Sequence, residues 1–363
     1  MEFDDESTHN MYSGIDWNSN TEVIEREGRD CTVLHEDFEK ITRLAHIERF
    51  VNSAQKITSP AFTFSKRNGA ISVCSRRLSA FFLVINAVLE DYSDRYVYSP
   101  RVRVFFDACK KLRIAPGKFA FGKEHKIDLQ SGKCYATLFN ELIEMIRYLC
   151  SRRCFRIALK RHERNVLRRK AKAIMWEREM FEWRSRHRFI SLVLAYKAEH
   201  RSQITPEIIQ RHRKYLLDDR RSVPLLAGIK GYVWKLEEGD KTGLHLHILI
   251  SYMTKEGRDI EVGNQLGDYW VHVITDGMGS FRNSNIGLDT RGYIKNITLG
   301  DVNHNDTSER EGLRTLLNYL AKSEQYLKRK QSTRVRTFGM SQPPKKVKSG
   351  RPRQCSSGTV TPA

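Results

Sequence analysis

Two textures of hydrophobic and polar positions divide the chain. Over residues 37–57 the apolar side chains Phe38, Ile41, Leu44, Ile47 and Phe50 recur every three or four positions, which is the spacing of one helix face. Residues 78–89, 102–112 and 135–149 predict three more helices. Breaks containing Gly or Pro fall at 67–70 and 115–122, where turns belong. No internal repeat and no cluster of chemistry-bearing side chains stands out here, so residues 36–150 predict a helical accessory domain.

From Arg188 the period shortens to two. Residues 189–196 predict a strand. Thr205 then precedes Pro206 and Glu207, an N-cap followed by proline at the first helical position, and a helix to about residue 219 follows. Residues 226–237 and 244–252 predict two strands around the turn 239–242. A helix over 265–274, a strand over 292–299 and a helix from 308 to about 330 complete the series, the last opened by a capping box of Ser308 and Glu311. The order strand, helix, hairpin, helix, strand, helix predicts an α+β, RRM/ferredoxin-like domain. Its antiparallel sheet would carry helices on one face, behind a mainly helical N-terminal domain.

Charge sharpens this division. The 363 residues carry 63 Lys and Arg against 43 Asp and Glu, a net charge of +20. Such an excess points to a polyanionic partner, nucleic acid before membrane. The excess is local. Residues 152–172 hold ten basic side chains, among them Arg152, Arg153, Arg156, Lys160, Arg161, Arg168 and Arg169, against the single acid Glu163. A basic linker helix over 151–185 suits phosphate contact. Residues 334–363 lack periodicity, and Lys345, Lys346 and Lys348 lie among their prolines. They predict a disordered basic tail that adds DNA affinity without reading sequence. The first 30 residues invert the sign, with nine acids and two bases, and predict a disordered acidic arm over 1–35. The seven cysteines form no CxxC pair, so neither a disulfide frame nor a zinc ribbon is expected. The longest apolar run, 78–89, contains Ser79 and Asn86 and is too short to cross a bilayer. A cytoplasmic protein without a membrane partner is the expectation.

The candidate chemistry sits on the strand Gly243-Leu244-His245-Leu246-His247-Ile248-Leu249-Ile250. Alternation sends the leucines and isoleucines at even positions to one face, and His245 and His247 to the other. On the preceding strand Tyr232, Trp234 and Leu236 form the apolar face, while Val233, Lys235 and Glu237 point the opposite way. Hairpin parity therefore puts Glu237 beside the two histidines as a third ligand; Glu238 would replace it if a bulge shifted the register. Two imidazoles and a carboxylate suit a divalent ion with positions left for a phosphate. Mg²⁺ or Mn²⁺ fits phosphate chemistry, and structural zinc remains an alternative. On the late helix Leu313, Leu316, Leu317 and Leu320 form a core stripe, and Tyr319, Lys322 and Tyr326 share another face. A tyrosine one turn from a lysine is a candidate nucleophile with a charge partner. The spacing recurs at Tyr232/Lys235 and Tyr252/Lys255, but only Tyr319 lies on a predicted helix.

These motifs in this order resemble the HUH endonucleases of rolling-circle replication. Residues 189–196 look like their hydrophobic central strand, His245-Leu246-His247 like the HUH motif, and Tyr319-Leu320-Ala321-Lys322 like the tyrosine motif. More narrowly, residues from about 186 to 340 resemble the inovirus gene-two-protein-like family, the YagK/YfjJ C-terminal domain of phages and prophages, with the domain itself placed at 186–333. Trp234 to Glu237, Gly267-Asp268-Tyr269-Trp270 and Arg336-Thr337-Phe338-Gly339 add to that likeness. The resemblance implies metal-dependent nicking and joining of single-stranded origin DNA. Tyr319 would form a 5′-phosphotyrosine link, Lys322 would assist, and Tyr326 would be a second nucleophile in a two-tyrosine version. It implies a replication initiator working with host helicase and replication machinery. A DNA-binding regulator without catalysis and an HUH transposase are the competing readings.

Overall fold

The computed structural model describes residues 21–26, 29–34, 36–67, 70–94, 96–114, 123–128, 131–218, 223–239, 242–253, 258–286, 298–321, 327–329 and 336–344. It is an α+β structure. Strands β1 (Thr21–Arg26) and β2 (Arg29–Leu34) pair as an antiparallel hairpin, so the stretch read as a disordered arm contains a strand pair; residues 1–20 lie outside the described ones.

The next elements are α1 (Glu36–Lys56), β3 (Phe62–Arg67), β4 (Ala70–Ser75), α2 (Ile85–Glu90), β5 (Tyr96–Tyr98), α3 (Pro100–Lys111) and α4 (Tyr135–Ser151). Two expectations are corrected here. The domain is not purely helical, because β3 and β4 form a hairpin about the break at 67–70. The helix expected over 78–89 divides into a short 3-10 turn, Arg77–Phe81, and α2. Leu78, Phe82, Ile85, Val88 and Leu89 are buried all the same, so the apolar run serves the core without continuous helix. That core stacks Phe50 on Phe139 at 5.6 Å between ring centres and packs Phe82 edge-on to Phe139 at 5.3 Å. Aromatic pairs in these geometries add about 1 kcal/mol each beyond their buried area.

Helix α5 (Arg153–Trp183) runs between two cores. Phe155 near its start lies in the N-terminal core, and Ala173, Trp176, Met180 and Phe181 near its end lie in another. After it come β6 (Arg186–Tyr196), α6 (Pro206–Asp218), α7 (Pro224–Ala227), β7 (Ile229–Gly239), β8 (Gly243–Tyr252), α8 (Asp259–Tyr269), β9 (Gly279–Asn283), β10 (Gly300–Asn303), α9 (Thr307–Ala321), β11 (Leu327–Arg329) and β12 (Phe338–Met340). The largest sheet has the order β10-β6-β8-β7-β12, all antiparallel, with β9 beside β10 on the outer side of β6.

Helices cover both faces of this sheet, not one. On one face Leu192, Leu194, Trp234, Leu246 and Ile248 pack with Ile209 and Leu216 of α6 and Leu266 of α8. On the other, Phe189, Val233 and Leu249 pack with Trp176 and Met180 of α5 and Leu313 and Leu317 of α9. The physical reason is that Phe189, Val233 and Leu249 make the second face apolar too, and exposed they would lose the burial that favours folding.

Further boundaries move. Thr205 caps α6 as expected, its Oγ1 accepting from the Ile208 N–H at 3.4 Å. Asp306, rather than Ser308, caps α9 by accepting from the Glu309 N–H at 2.9 Å. Helix α9 is described as far as Ala321, and it does not extend to residue 330 as expected, because residues 327–329 form β11, which pairs with β5 of the N-terminal region. The strand expected over 292–299 falls mainly outside the described residues; the strands found are β9 and β10. The tail begins later than 334, since β12 completes the sheet edge against β7. Gly339 lets it lie there, because a Cβ would meet the Trp234 indole at 2.7 Å.

Candidate metal centre beside a buried tyrosine

The β7–β8 hairpin builds the site. Its register pairs Glu237 with His245 and Lys235 with His247, and residues directly opposite on one face have neighbouring Cβ atoms. The bulge in this pair lies at Ile229/Gly231, far from the site. Glu238, opposite Leu244, falls on the other parity and outside the cluster. Gly243 opens β8 with φ +65, a left-handed conformation that glycine adopts without strain.

Glu237, His245 and His247 each offer a ligand atom, and these atoms lie within 4.8 Å of one another. The three residues could hold a metal ion. Hydrogen bonding fixes one donor. His245 Nδ1 lies 3.0 Å from the Gly243 carbonyl oxygen, which can only accept, so Nδ1 carries a proton and, in the neutral ring, Nε2 is the nitrogen with the lone pair. That is the tautomer a metal-binding imidazole needs. His245 Nε2 lies 3.6 Å, and His247 Nε2 2.7 Å, from the same carboxylate oxygen, Glu237 Oε2. The His247 contact is close but misdirected for an N–H donor, and the buried Nε2 has no hydrogen-bond partner. A buried nitrogen without a partner is costly, and a cation shared with Glu237 would satisfy it.

The charges suit such an ion. Burial pushes the His247 imidazolium down to about 4, outweighing the Glu237 carboxylate that opposes the shift. Burial would raise the Glu237 carboxyl, but the Lys235 ammonium and then the two imidazoles overcome it and hold the group well below the usual carboxylate range. At neutral pH His247 is therefore neutral and Glu237 ionised, the forms that bind metal.

Tyr319 reaches the same place from α9. Its ring stands edge-on to His247 at 6.2 Å between centres, and the Lys235 ammonium lies 4.2 Å from the Tyr319 ring centre. Lys235 also ion-pairs with Glu237. Tyr319 is 5% exposed; although it lies off the leucine stripe of α9, it packs against the histidine side of the sheet. The sequence pattern alone assigns Lys235 no role. The parity that selects Glu237 also selects Lys235, two residues earlier on the same face.

Lys322 and Tyr326 lie outside the described residues, as do Lys345, Lys346 and Lys348. Of the basic linker set, Arg153, Arg156, Lys160, Arg161 and Arg168 are exposed and Arg169 is half-buried. Arg152 donates to the Tyr148 hydroxyl at 2.8 Å. None of them belongs to the histidine cluster. Among the described residues no helix is long and apolar enough to cross a membrane. Comparison of the chain with protein-family models, with curated proteins and with solved structures finds no match.

Proposed function

We propose that this chain is a metal-dependent enzyme of the HUH type that nicks and rejoins single-stranded origin DNA and so initiates rolling-circle replication of a phage-like element. The observation that carries this reading is the convergence of Tyr319, by way of Lys235, on the Glu237, His245 and His247 cluster. Metal ligands, a cation and a phenol in one place are the parts needed for phosphodiester transfer.

A Mg²⁺ or Mn²⁺ ion held by Glu237 Oε2, His245 Nε2 and His247 Nε2 would polarise a phosphate oxygen of the bound strand. Tyr319 Oη attacks phosphorus. The Oη–P bond forms and the P–O3′ bond breaks. The phenolic proton passes to solvent, and the departing oxygen takes up a proton to become a 3′-hydroxyl. Lys235 offsets negative charge at the ring as that proton leaves. The bond energy remains in the phosphotyrosine, so a 3′-hydroxyl returning to the same phosphorus reverses the step and joins the strand.

The burial of Tyr319 favours one alternative, a DNA-binding protein in which this tyrosine only packs. Incubation of the full chain with end-labelled single-stranded DNA and Mn²⁺ separates the two. The enzyme leaves a denaturation-resistant protein–DNA adduct that Tyr319→Phe abolishes. Absence of the adduct, or its survival in Tyr319→Phe, overturns the proposal.

A further inference from the structure

We propose that the outward face of α5 is a docking surface for double-stranded DNA, distinct from the histidine site and independent of whether that site nicks. At about 100° per residue, Leu159, His162, Val166 and Lys170 form a half-buried stripe turned toward the protein. Arg153, Lys160, Arg161, Arg164, Arg168 and Lys172 fall within about a 120° arc on the opposite side, and all six are exposed. From Arg153 to Lys172 the arc spans roughly 28 Å of helix.

The arc carries no acid. Glu163 sits on its flank and is engaged by Arg101 at 3.3 Å. None of the six cations forms an ion pair with a described residue. A solvated helix face ordinarily interleaves both signs, which supports the helix through pairs one turn apart. Six like charges in one row repel each other, and a polyanion relieves that repulsion.

The side chains choose among polyanions. Proteins that bind single strands without reading sequence combine cations with aromatic platforms on which bases stack. Between Arg153 and Lys172 the one Phe, Tyr or Trp is Phe155, and it is buried in the N-terminal core. The surface offers phosphate contacts and no aromatic platform for bases, and a straight row of cations matches the regular phosphates of a stiff duplex. A helix of about 10–12 Å diameter also fits a major groove about 12 Å wide.

The helix is rigidly tied to the other site. The fully buried Glu177, on the C-terminal part of α5, takes Arg310 at 2.7 Å and Arg314 at 3.3 Å from α9. A duplex on α5 is thereby held at a fixed position relative to the helix that carries Tyr319.

The test is fluorescence anisotropy on the full chain without divalent metal, using a labelled duplex of about 30 base pairs and a single strand of equal length over a range of salt. The variant is Arg161→Ala/Arg164→Ala/Arg168→Ala. A control of equal charge, Arg103→Ala/Lys110→Ala/Lys111→Ala, alters exposed cations of α3. The α5 variant should bind duplex at least tenfold more weakly, and the slope of log affinity against log salt should fall by about three, near 0.9 per lost phosphate contact. Its single-strand affinity should stay within about twofold, because those contacts lie elsewhere. Circular dichroism matching the parent shows that the fold is kept. Equal losses on duplex and single strand, no loss on duplex, or an equal loss in the α3 control overturns the proposal. No cleavage is read, so failure of the nicking reaction does not alter this result.

Discussion

Lys235→Met isolates the group that couples the ligand cluster to the tyrosine. Lys235 is 4% exposed, ion-pairs with Glu237 and lies 4.2 Å from the centre of the Tyr319 ring. Methionine keeps most of the length and removes the charge. Removing one partner of a buried ion pair costs about 3–5 kcal/mol. The Glu237 side chain is 28% exposed and so partly solvated, and the low end of that range applies. The lost cation–π contact adds about 1 kcal/mol, for a total of roughly 3–4 kcal/mol in the absence of metal. A divalent ion on the cluster would take over the partnership with Glu237 and would be repelled by the ammonium. The variant should therefore bind Mn²⁺ at least tenfold more tightly, about 1.4 kcal/mol. Saturating Mn²⁺ should return part of the lost stability. Thermal melts with and without Mn²⁺, together with calorimetric titration, read both quantities. If Mn²⁺ stabilises the parent and the variant equally, or binds the variant more weakly, Lys235 does not compete for the carboxylate and the charge assignment fails.

Three further outcomes follow from the same geometry. His247 has a folded value of about 4, below its ordinary 6.5, and Glu237 is also held low. Both groups therefore support the metal-free fold above their unfolded values, and that support is lost as pH falls from about 6.5 through 4 for His247 and lower for Glu237. His247→Gln should flatten the upper part of the loss in a stability profile between pH 7 and 4; an unchanged profile refutes the assignment. Glu177→Gln leaves Arg310 without its carboxylate and Arg314 with Glu311 alone, at 3.7 Å, and should cost about 2–3 kcal/mol in chemical denaturation; a change below about 0.5 kcal/mol would mean that the buried contacts carry little net energy. Gly339→Ala sets a methyl group 2.7 Å from Trp234 and should destabilise by about 1–3 kcal/mol, with faster hydrogen exchange at the Leu236 N–H that donates to Thr337 at 2.8 Å.

The β7–β8 hairpin was legible in the residues because strand parity is local. Side chains alternate with a period of two, so placing the leucines of β8 on one face places His245 and His247 on the other. Fixing the turn then brings Glu237 opposite His245. The start of α6 at Thr205 and Pro206 and the long basic helix α5 were legible for the same reason: caps and charge runs belong to neighbouring residues. The hairpin β3–β4 escaped because its short strands lie in a helix-rich stretch. Lys235 escaped because a lysine on a strand reads as solvent-facing until something covers it.

The covering is what tertiary structure decided. Helix α9 begins at Thr307, far in sequence from the end of β8 at Tyr252, and no local period states which face of a sheet a distant helix will bury. Its docking on the histidine face turned a half-open sheet into one covered on both sides, and brought Tyr319 to Lys235 and His247. It also joined α5 to α9 through Glu177. The residues of the centre follow from the alternation of one hairpin; their assembly with a tyrosine follows from burying apolar surface that the hairpin alone leaves open.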